Sequence, residues 1–215
     1  KIKNSDFIIH LAAVNRPSKK ILFKETNIIL TEYICKVLIK YSLNIPIIFS
    51  SSTQSELDNQ YGKSKLMGEK LLFNLNQTNG NPVFIFRLPG VFGKWSKPYY
   101  NSVVSTFCFN AINNIELEIN DKNKIINLVY IDDVLKKFCY FLDMKKKGYY
   151  FKEIRPSYKI KLNDLAKKIL SFKHNRADSY IGNTSEGLDR KLYSTYISFL
   201  NATQFEYPLK EHIDK

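Results

Sequence analysis

Tyr61 and Lys65 stand four residues apart in the segment Tyr61-Gly62-Lys63-Ser64-Lys65. On a helix that spacing puts the phenol and the ammonium on one face. Upstream, Phe49-Ser50-Ser51-Ser52-Thr53 ends an apolar run in hydroxyls. A hydroxyl, a phenol and a lysine together make a proton-transfer site for a carbonyl/alcohol pair. A free tyrosine titrates near ~10, and a neighbouring cation stabilises the phenolate and lowers that value. A tyrosine so tuned protonates a ketone oxygen as hydride reaches the carbon; in reverse it takes the proton from an alcohol. The serine hydroxyl holds the same oxygen. Tyr-x-x-x-Lys alone is a weak pattern in a chain with 14 tyrosines, so its surroundings carry the weight.

Strands and helices must place these groups. Asp6 to Ala13 is a short apolar run ending in small residues. It reads as a buried parallel strand with a close backbone approach at its C-terminal end, where ligands of doubly wound sheets sit. Ile21 to Tyr41 has helical spacing, with Ile28, Ile29, Tyr33, Ile34, Val37 and Leu38 apolar. A strand over Ile45–Phe49 follows, then a helix from Tyr61 to about Asn76 carrying Met67, Leu71, Leu72 and Leu75. Asn79-Gly80-Asn81-Pro82 is a turn, and Val83–Leu88 is a third strand. This alternation predicts an α/β fold with a Rossmann-type, doubly wound parallel sheet. Past Gly93 come a polar and aromatic loop (Lys94–Asn101), a helix (Ser102–Asn113) and a short strand (Asn127–Ile131). Asp132-Asp133 are expected to cap a helix running to about Met144. Tyr149–Ile154 is a strand candidate, and Leu162–Phe172 and Leu188–Leu200 are amphipathic helices.

With 215 residues, 44% of them hydrophobic, the chain suffices for one compact domain with a core. No apolar run approaches the ~20 residues of a membrane helix. The chain begins with Lys1 rather than Met, so the lack of a visible leader proves little about its address. Cys35, Cys108 and Cys139 are odd in number and scattered; they read as buried cytosolic thiols rather than a disulfide frame. His174 and His212 have no partners at metal-ligand spacing, so no metal is expected. The net charge is +13, but the lysines are spread along the chain. The tight run Lys145-Lys146-Lys147 reads as a helix C-terminus. A solvated basic surface suits a polyanionic small substrate such as a nucleotide diphosphate better than nucleic acid.

The motifs in order resemble the extended short-chain dehydrogenase/reductase family of nucleotide-sugar epimerases, dehydratases and reductases. His10-Leu11-Ala12-Ala13 resembles its cofactor segment, and Asn27 with Thr31 its N-x-x-x-T helix. Ser52, Tyr61 and Lys65 resemble its catalytic residues. Arg87-Leu88-Pro89-Gly90-Val91-Phe92-Gly93 and Val129 to Val134 resemble its two later elements. Within the family, His10–Pro17, Ser50–Gln54, Tyr61–Glu69, Arg87–Phe107, Leu192–Leu200 and Phe205–Leu209 look like the bifunctional reductases of capsule and O-antigen precursor synthesis, in the N-acetyl-L-fucosamine pathway. In those, a reductase domain precedes a metal-holding cupin that epimerises a 4-keto-6-deoxy UDP-sugar at C3. The reductase then reduces the C4 ketone with NADPH.

The resemblance implies NADP, or NAD, as cofactor, a UDP-sugar substrate, a cytoplasmic setting and a homodimer through Leu30–Leu38 and Met67–Leu75. Residues 1–145 would be the NAD(P)-binding region, without its first β-α unit; residues 146–215 would be a small interleaved substrate lobe and the start of a linker. Ser52, Tyr61 and Lys65 would be catalytic. Leu11, Ala12, Ala13, Ser50, Leu88, Pro89 and Val91, with Tyr61 and Lys65, would meet the cofactor. Asn15, Arg16, Thr53, Gly90, Lys97 and Asn101 would meet the substrate. The family's glycine-rich first turn would precede Lys1 and the cupin would follow Lys215, and neither lies in these 215 residues. Gly90 stands where the wider family usually has Asn. Alternatives are a nucleotide-sugar 4-epimerase or dehydratase of the same family, an inactive truncated remnant, or a domain that only binds a partner. A dehydratase usually carries an acidic pair after the catalytic Ser/Thr; here Thr53-Gln54-Ser55-Glu56 has one acidic residue.

Overall fold

The computed structural model describes residues 2–144, 147–178, 180 and 186–205. The strands are β1 (Ile8–His10), β2 (Ile47–Ser52), β3 (Val83–Leu88), β4 (Gly90–Phe92), β5 (Ile125–Tyr130), β6 (Tyr149–Lys152) and β7 (Tyr158–Lys161). The helices are α1 (Leu30–Lys40), α2 (Gln60–Asn79), α3 (Val103–Ile112), α4 (Ile131–Leu142), α5 (Leu162–Ala177) and α6 (Gly187–Ile197). These fall into two compact units. One is the chain up to Pro89 together with Asp133–Arg155; the other is Gly90–Asp132 together with the chain from Pro156 on. Sequence reading placed a single boundary at 145/146. The units instead exchange segments, because the chain leaves the first sheet after β3 and returns to add β6.

The first unit holds a parallel sheet in the order β1-β2-β3-β6. Successive side chains of a strand point to opposite faces, and here both faces are covered. Ile47 and Phe49 of β2 and Val83 and Ile85 of β3 pack with Ile34 and Leu38 of α1 and Leu72 and Leu75 of α2. Phe84 and Phe86 point the other way, with ring centroids 4.8 Å from Phe141 and 4.9 Å from Phe138 of α4. Strands buried on both faces read as continuous apolar runs, as Val-Phe-Ile-Phe does in β3. This is the doubly wound α/β arrangement expected from the sequence.

In the second unit β4 runs parallel to β5 and β7 antiparallel to it. Phe92, Leu128 and Ile160 of this small sheet form one core with Phe107 of α3, Leu165 and Ile169 of α5, and Leu192 and Tyr196 of α6.

Several local expectations shift. The first strand is only Ile8–His10, since Leu11 and Ala12 are exposed. β4 and β7 are too short and mixed in composition to stand out in the sequence. Asp132 and Asp133 lie inside the first turn of α4 rather than before it, and Asp132 pairs with Lys94 at 3.1 Å. Cys139 is exposed, because the inward face of α4 is set by Val134, Phe138 and Phe141. α4 ends at Leu142, ahead of the lysine run; Lys145, Lys146, His212 and the Glu206–Leu209 part of the C-terminal match lie outside the described residues.

Candidate active site

The site in the first unit is assembled at the C-terminal end of β2 and the first turns of α2. The last residues of β2 alternate. Ser50 Oγ donates to His10 O at 3.3 Å, Ser51 Oγ donates to Glu69 Oε1, and Ser52 returns to the side of Ser50. Ser52 Oγ accepts the Gln54 N–H at 3.1 Å, which starts a tight turn over Thr53–Glu56. Its hydroxyl also acts on the Tyr61 phenol, favouring the charged form. Of the three neighbouring hydroxyls, then, Ser52 is the one brought to Tyr61; Thr53 is exposed.

α2 starts where the Asn59 side chain accepts the Gly62 N–H at 2.8 Å. Tyr61 is half-buried in its first turn. Lys65, on the next turn, is 2% exposed, its Nζ 4.4 Å from the centroid of the Phe49 ring. An aromatic face attracts a cation, more so when both are dry, yet burial still dominates: it draws Lys65 down to about 8, opposed by the Glu69 charge. Tyr61 moves opposite to the sequence-based expectation. Burial pushes its hydroxyl above the ordinary tyrosine value, and the Ser52 side chain only partly offsets this. Desolvation of a phenolate outweighs the help it receives.

Behind this pair lies a buried polar network. Asn27, in the π-helical turn Phe23–Ile29 that leads into α1, accepts Val14 N–H at 2.8 Å and donates to Val14 O and to Ser64 Oγ, each at 2.9 Å. Ser64 Oγ in turn donates to Tyr61 O at 2.7 Å. The loop after β1 is thereby tied to the first turn of α2. In that loop Leu11, Ala12 and Arg16 are exposed and Ala13 and Asn15 half-buried. Asn15 Oδ1 is buried without a hydrogen-bond partner, an uncommon condition that calls for an occupant. Leu88 and Pro89, at the end of β3, are half-buried.

His10 is 4% exposed, with Nε2 2.9 Å from Thr31 Oγ1. Thr31 Oγ1 spends its proton on Asn27 O at 2.8 Å, so His10 Nε2 is the donor. Burial first, and then Lys65, pull the imidazole from 6.5 down to about 4. His10 is thus a packed strand-end residue. Its depressed pKa has a consequence for stability. Between about 4 and 6.5 the unfolded chain binds a proton that the folded one refuses, so stability is full above the unfolded value and falls as pH drops towards 4. At ~1.4 kcal/mol per pH unit this loss reaches up to about 3 kcal/mol. Urea titrations from pH 7 to 4 should show His10→Gln losing less than wild type over that window; parallel curves would rule the coupling out.

Three other predicted residues and Val91 belong to the second unit. Val91 is half-buried in β4; Gly90, Lys97 and Asn101 are exposed. A Cβ at position 90 would lie 3.1 Å from Asn127 O and from Leu128 Cδ2. A side chain there pushes against β5, a structural reason for Gly90 in place of Asn. The loop before α3 holds Trp95 and Tyr99 at φ of 60° and 56°, tied down by Ser96–Ser105 and Tyr99–Asn110 hydrogen bonds.

Sequence reading missed Glu69 and Arg87 as partners. Glu69 is 2% exposed and takes Arg87 Nε at 3.0 Å and Nη2 at 2.7 Å. The signal was an arginine ending the apolar run Val-Phe-Ile-Phe, because a charge so placed needs a partner. Among the described residues no three His, Cys, Asp or Glu side chains group as a metal site, and no helix is long and apolar enough to cross a membrane.

Residues 1–152 match the model of the NAD dependent epimerase/dehydratase family. The chain is 44% identical over 213 residues to the UDP-2-acetamido-2,6-beta-L-arabino-hexul-4-ose reductase of Pseudomonas aeruginosa, covering 99% of this chain and 57% of that protein. The crystal structure of the capsular polysaccharide assembling protein CapF from Staphylococcus aureus superposes with a TM-score of 0.85 at 34% identity, over 98% of this chain and 56% of that one. The chain therefore spans somewhat more than half the length of these two relatives. UDP-glucuronic acid 4-epimerase from Bacillus cereus, solved with NAD, shares the fold at a TM-score of 0.77 and 18% identity, over 92% of this chain and 75% of that one.

Proposed function

The chain belongs to the NAD dependent epimerase/dehydratase family, and on that premise we propose that it reduces the C4 ketone of a 4-keto-6-deoxy UDP-N-acetylhexosamine, with NADPH or NADH, in capsule or O-antigen precursor synthesis. The observation that carries this reading is the half-buried Tyr61, with Ser52 acting on its hydroxyl, one helical turn from a buried Lys65. The name of the Pseudomonas relative supports the substrate class.

The residues present fit the nicotinamide half of such a cofactor. Beyond β1 the backbone is open at Leu11 and Ala12, whose neighbour Ala13 is small. Ser50, Leu88 and Pro89 supply the neighbouring strand ends, and Lys65 the cation for ribose hydroxyls. The first glycine of the chain is Gly62, so no glycine-rich pyrophosphate turn stands among its own residues. When bound, a reduced nicotinamide supplies hydride to the ketone carbon.

The chain's own residues handle the oxygen. Ser52 holds it; Tyr61 gives it a proton and is left as phenolate; Lys65 stabilises that charge before water restores the proton. Burial keeps Tyr61 protonated at neutral pH, the form a reduction needs. Gly90, Val91, Lys97 and Asn101 are assigned to the sugar-nucleotide and nicotinamide surroundings, as are Arg16, Thr53 and Asn15, whose buried Oδ1 has no hydrogen-bond partner. Homodimerisation through α1 and α2 is supported by exposed Tyr33, Met67 and Phe73. A cytoplasmic location follows from the nucleotide-sugar substrate, and the dispersed lysines argue against nucleic acid. Of the two acids between Ser52 and α2, Glu56 is held by Arg87 Nη1 at 2.6 Å and Asp58 by Lys63 Nζ at 2.5 Å, which disfavours dehydration.

The test is to incubate the intact protein with the 4-keto sugar and NADPH. Loss of reduced-cofactor absorbance matched by an equal amount of 4-hydroxy sugar is expected. Cofactor binding with no sugar product would sink the assignment.

A further inference from the structure

Glu69 carries a charge that the reaction above does not use. Its carboxylate is a junction of three elements. Oε1 accepts from Ser51 Oγ of β2 and from Arg87 Nε of β3; Oε2 accepts from Arg87 Nη2. Its backbone carbonyl accepts from the Tyr149 hydroxyl of β6 at 3.2 Å. A buried carboxylate persists only where its lone pairs are so filled, and the two-pronged arginine contact fixes its direction as well as its charge. The neighbours along each element matter most. Ser51 precedes Ser52, and Lys65 lies one turn before Glu69 on α2. The contact thus sets how α2 sits along β2.

We propose that Glu69 is the positioning residue of the Ser52–Tyr61–Lys65 group: clamped by Ser51 and Arg87, it fixes α2 against the strand ends and keeps a negative charge one turn from the Lys65 ammonium. The inference rests on the reading of Tyr61 and Lys65 as the reacting pair. Two groups act on Lys65. Glu69 opposes the effect of burial on its charge, and His10, from β1, is coupled to it but stays neutral down to about 4. Arg87 is shared with Glu56, so Glu69→Gln would leave the guanidinium a partner while removing the negative charge that acts on Lys65.

The experiment compares wild type, Glu69→Gln and Ser51→Ala in the intact protein. In Glu69→Gln, kcat is expected to fall about 10- to 100-fold, as for a reacting group misplaced by up to ~1 Å, with KM for the sugar within about twofold. The alkaline limb of kcat should move to lower pH by roughly one unit, because the lysine loses its charge sooner. A salt bridge serving stability alone would lower the unfolding midpoint and leave that limb in place; this outcome overturns the proposal. Ser51→Ala keeps both charges and the arginine contact, so it serves where Glu69→Gln does not fold. It is expected to lower kcat several-fold, and unchanged turnover overturns the tether. Carbon-13 labelling at lysine Cε reads the Lys65 titration without turnover. A lower midpoint in Glu69→Gln is expected, and an equal midpoint overturns the proposal whatever the protein reduces. A wild type that reduces no 4-keto sugar would count against the proposed function instead.

Discussion

Tyr61→Phe is expected to lower kcat for ketone reduction by roughly 10²–10⁴-fold while leaving the fold and cofactor binding in place. The substitution removes one oxygen and nothing else. The ring keeps its half-buried seat in the first turn of α2 and its place 6.3 Å from the Phe23 ring. Ser52 keeps the Gln54 N–H, so its buried hydroxyl is not stranded. What disappears is the proton that must reach the ketone oxygen, since the Ser52 hydroxyl titrates too high to replace it. Single-turnover reduction with cofactor binding measured alongside separates the two effects. Turnover within threefold of wild type would remove Tyr61 from the role assigned to it; a parallel loss of cofactor binding would point to a damaged site.

Gly62→Ala should be the most damaging change that leaves every reacting atom in the protein. A Cβ at Gly62 would lie 2.0 Å from Gln54 O and 3.0 Å from Leu57 O. Both are backbone atoms of the turn that follows Ser52, joined by the Leu57 N–H to Gln54 O hydrogen bond of 2.9 Å, so neither yields by a rotamer change. The start of α2 must move away from the end of β2, and Tyr61 moves with it. Overpacking of this kind costs about 1–3 kcal/mol, and a shift near ~1 Å costs on the order of 10²-fold in rate. Denaturant midpoints and kcat should therefore fall together. Full stability with full activity in Gly62→Ala would mean that the close approach of turn and helix is not needed.

Glycine at position 62 shows how far sequence reading reaches. The Tyr-Gly-Lys-Ser-Lys spacing predicts the helix and the shared face of Tyr61 and Lys65, because an α-helix has a fixed period. It says nothing of the carbonyl that forbids a side chain at 62, which comes from a turn only tertiary packing brings there. The same division holds for charge. The type and order of Ser52, Tyr61 and Lys65 announce proton chemistry, but the direction of their pKa shifts depends on how dry each group becomes. The sequence suggested a tyrosine lowered by its lysine; burial raises Tyr61 and lowers Lys65 instead.

Sheet order follows the same logic. Apolar runs at Ile45–Phe49 and Val83–Leu88 with helical spacing between them were sufficient for an α/β fold, since strands buried on both faces cannot hide their composition. Short, half-exposed β4 and β7 carry no such imprint, and their pairing with β5 depends on segments far apart in the chain. Glu69 marks the limit most clearly. In the sequence it is one more acid on a helix. Only the meeting of Ser51, Arg87 and α2 makes it a buried anchor, because a carboxylate's burial depends on partners that arrive from other strands. The amino-acid order by itself determined the chemistry available and the elements that carry it; the packed structure decided which charges are dry, which are paired, and therefore how that chemistry is held.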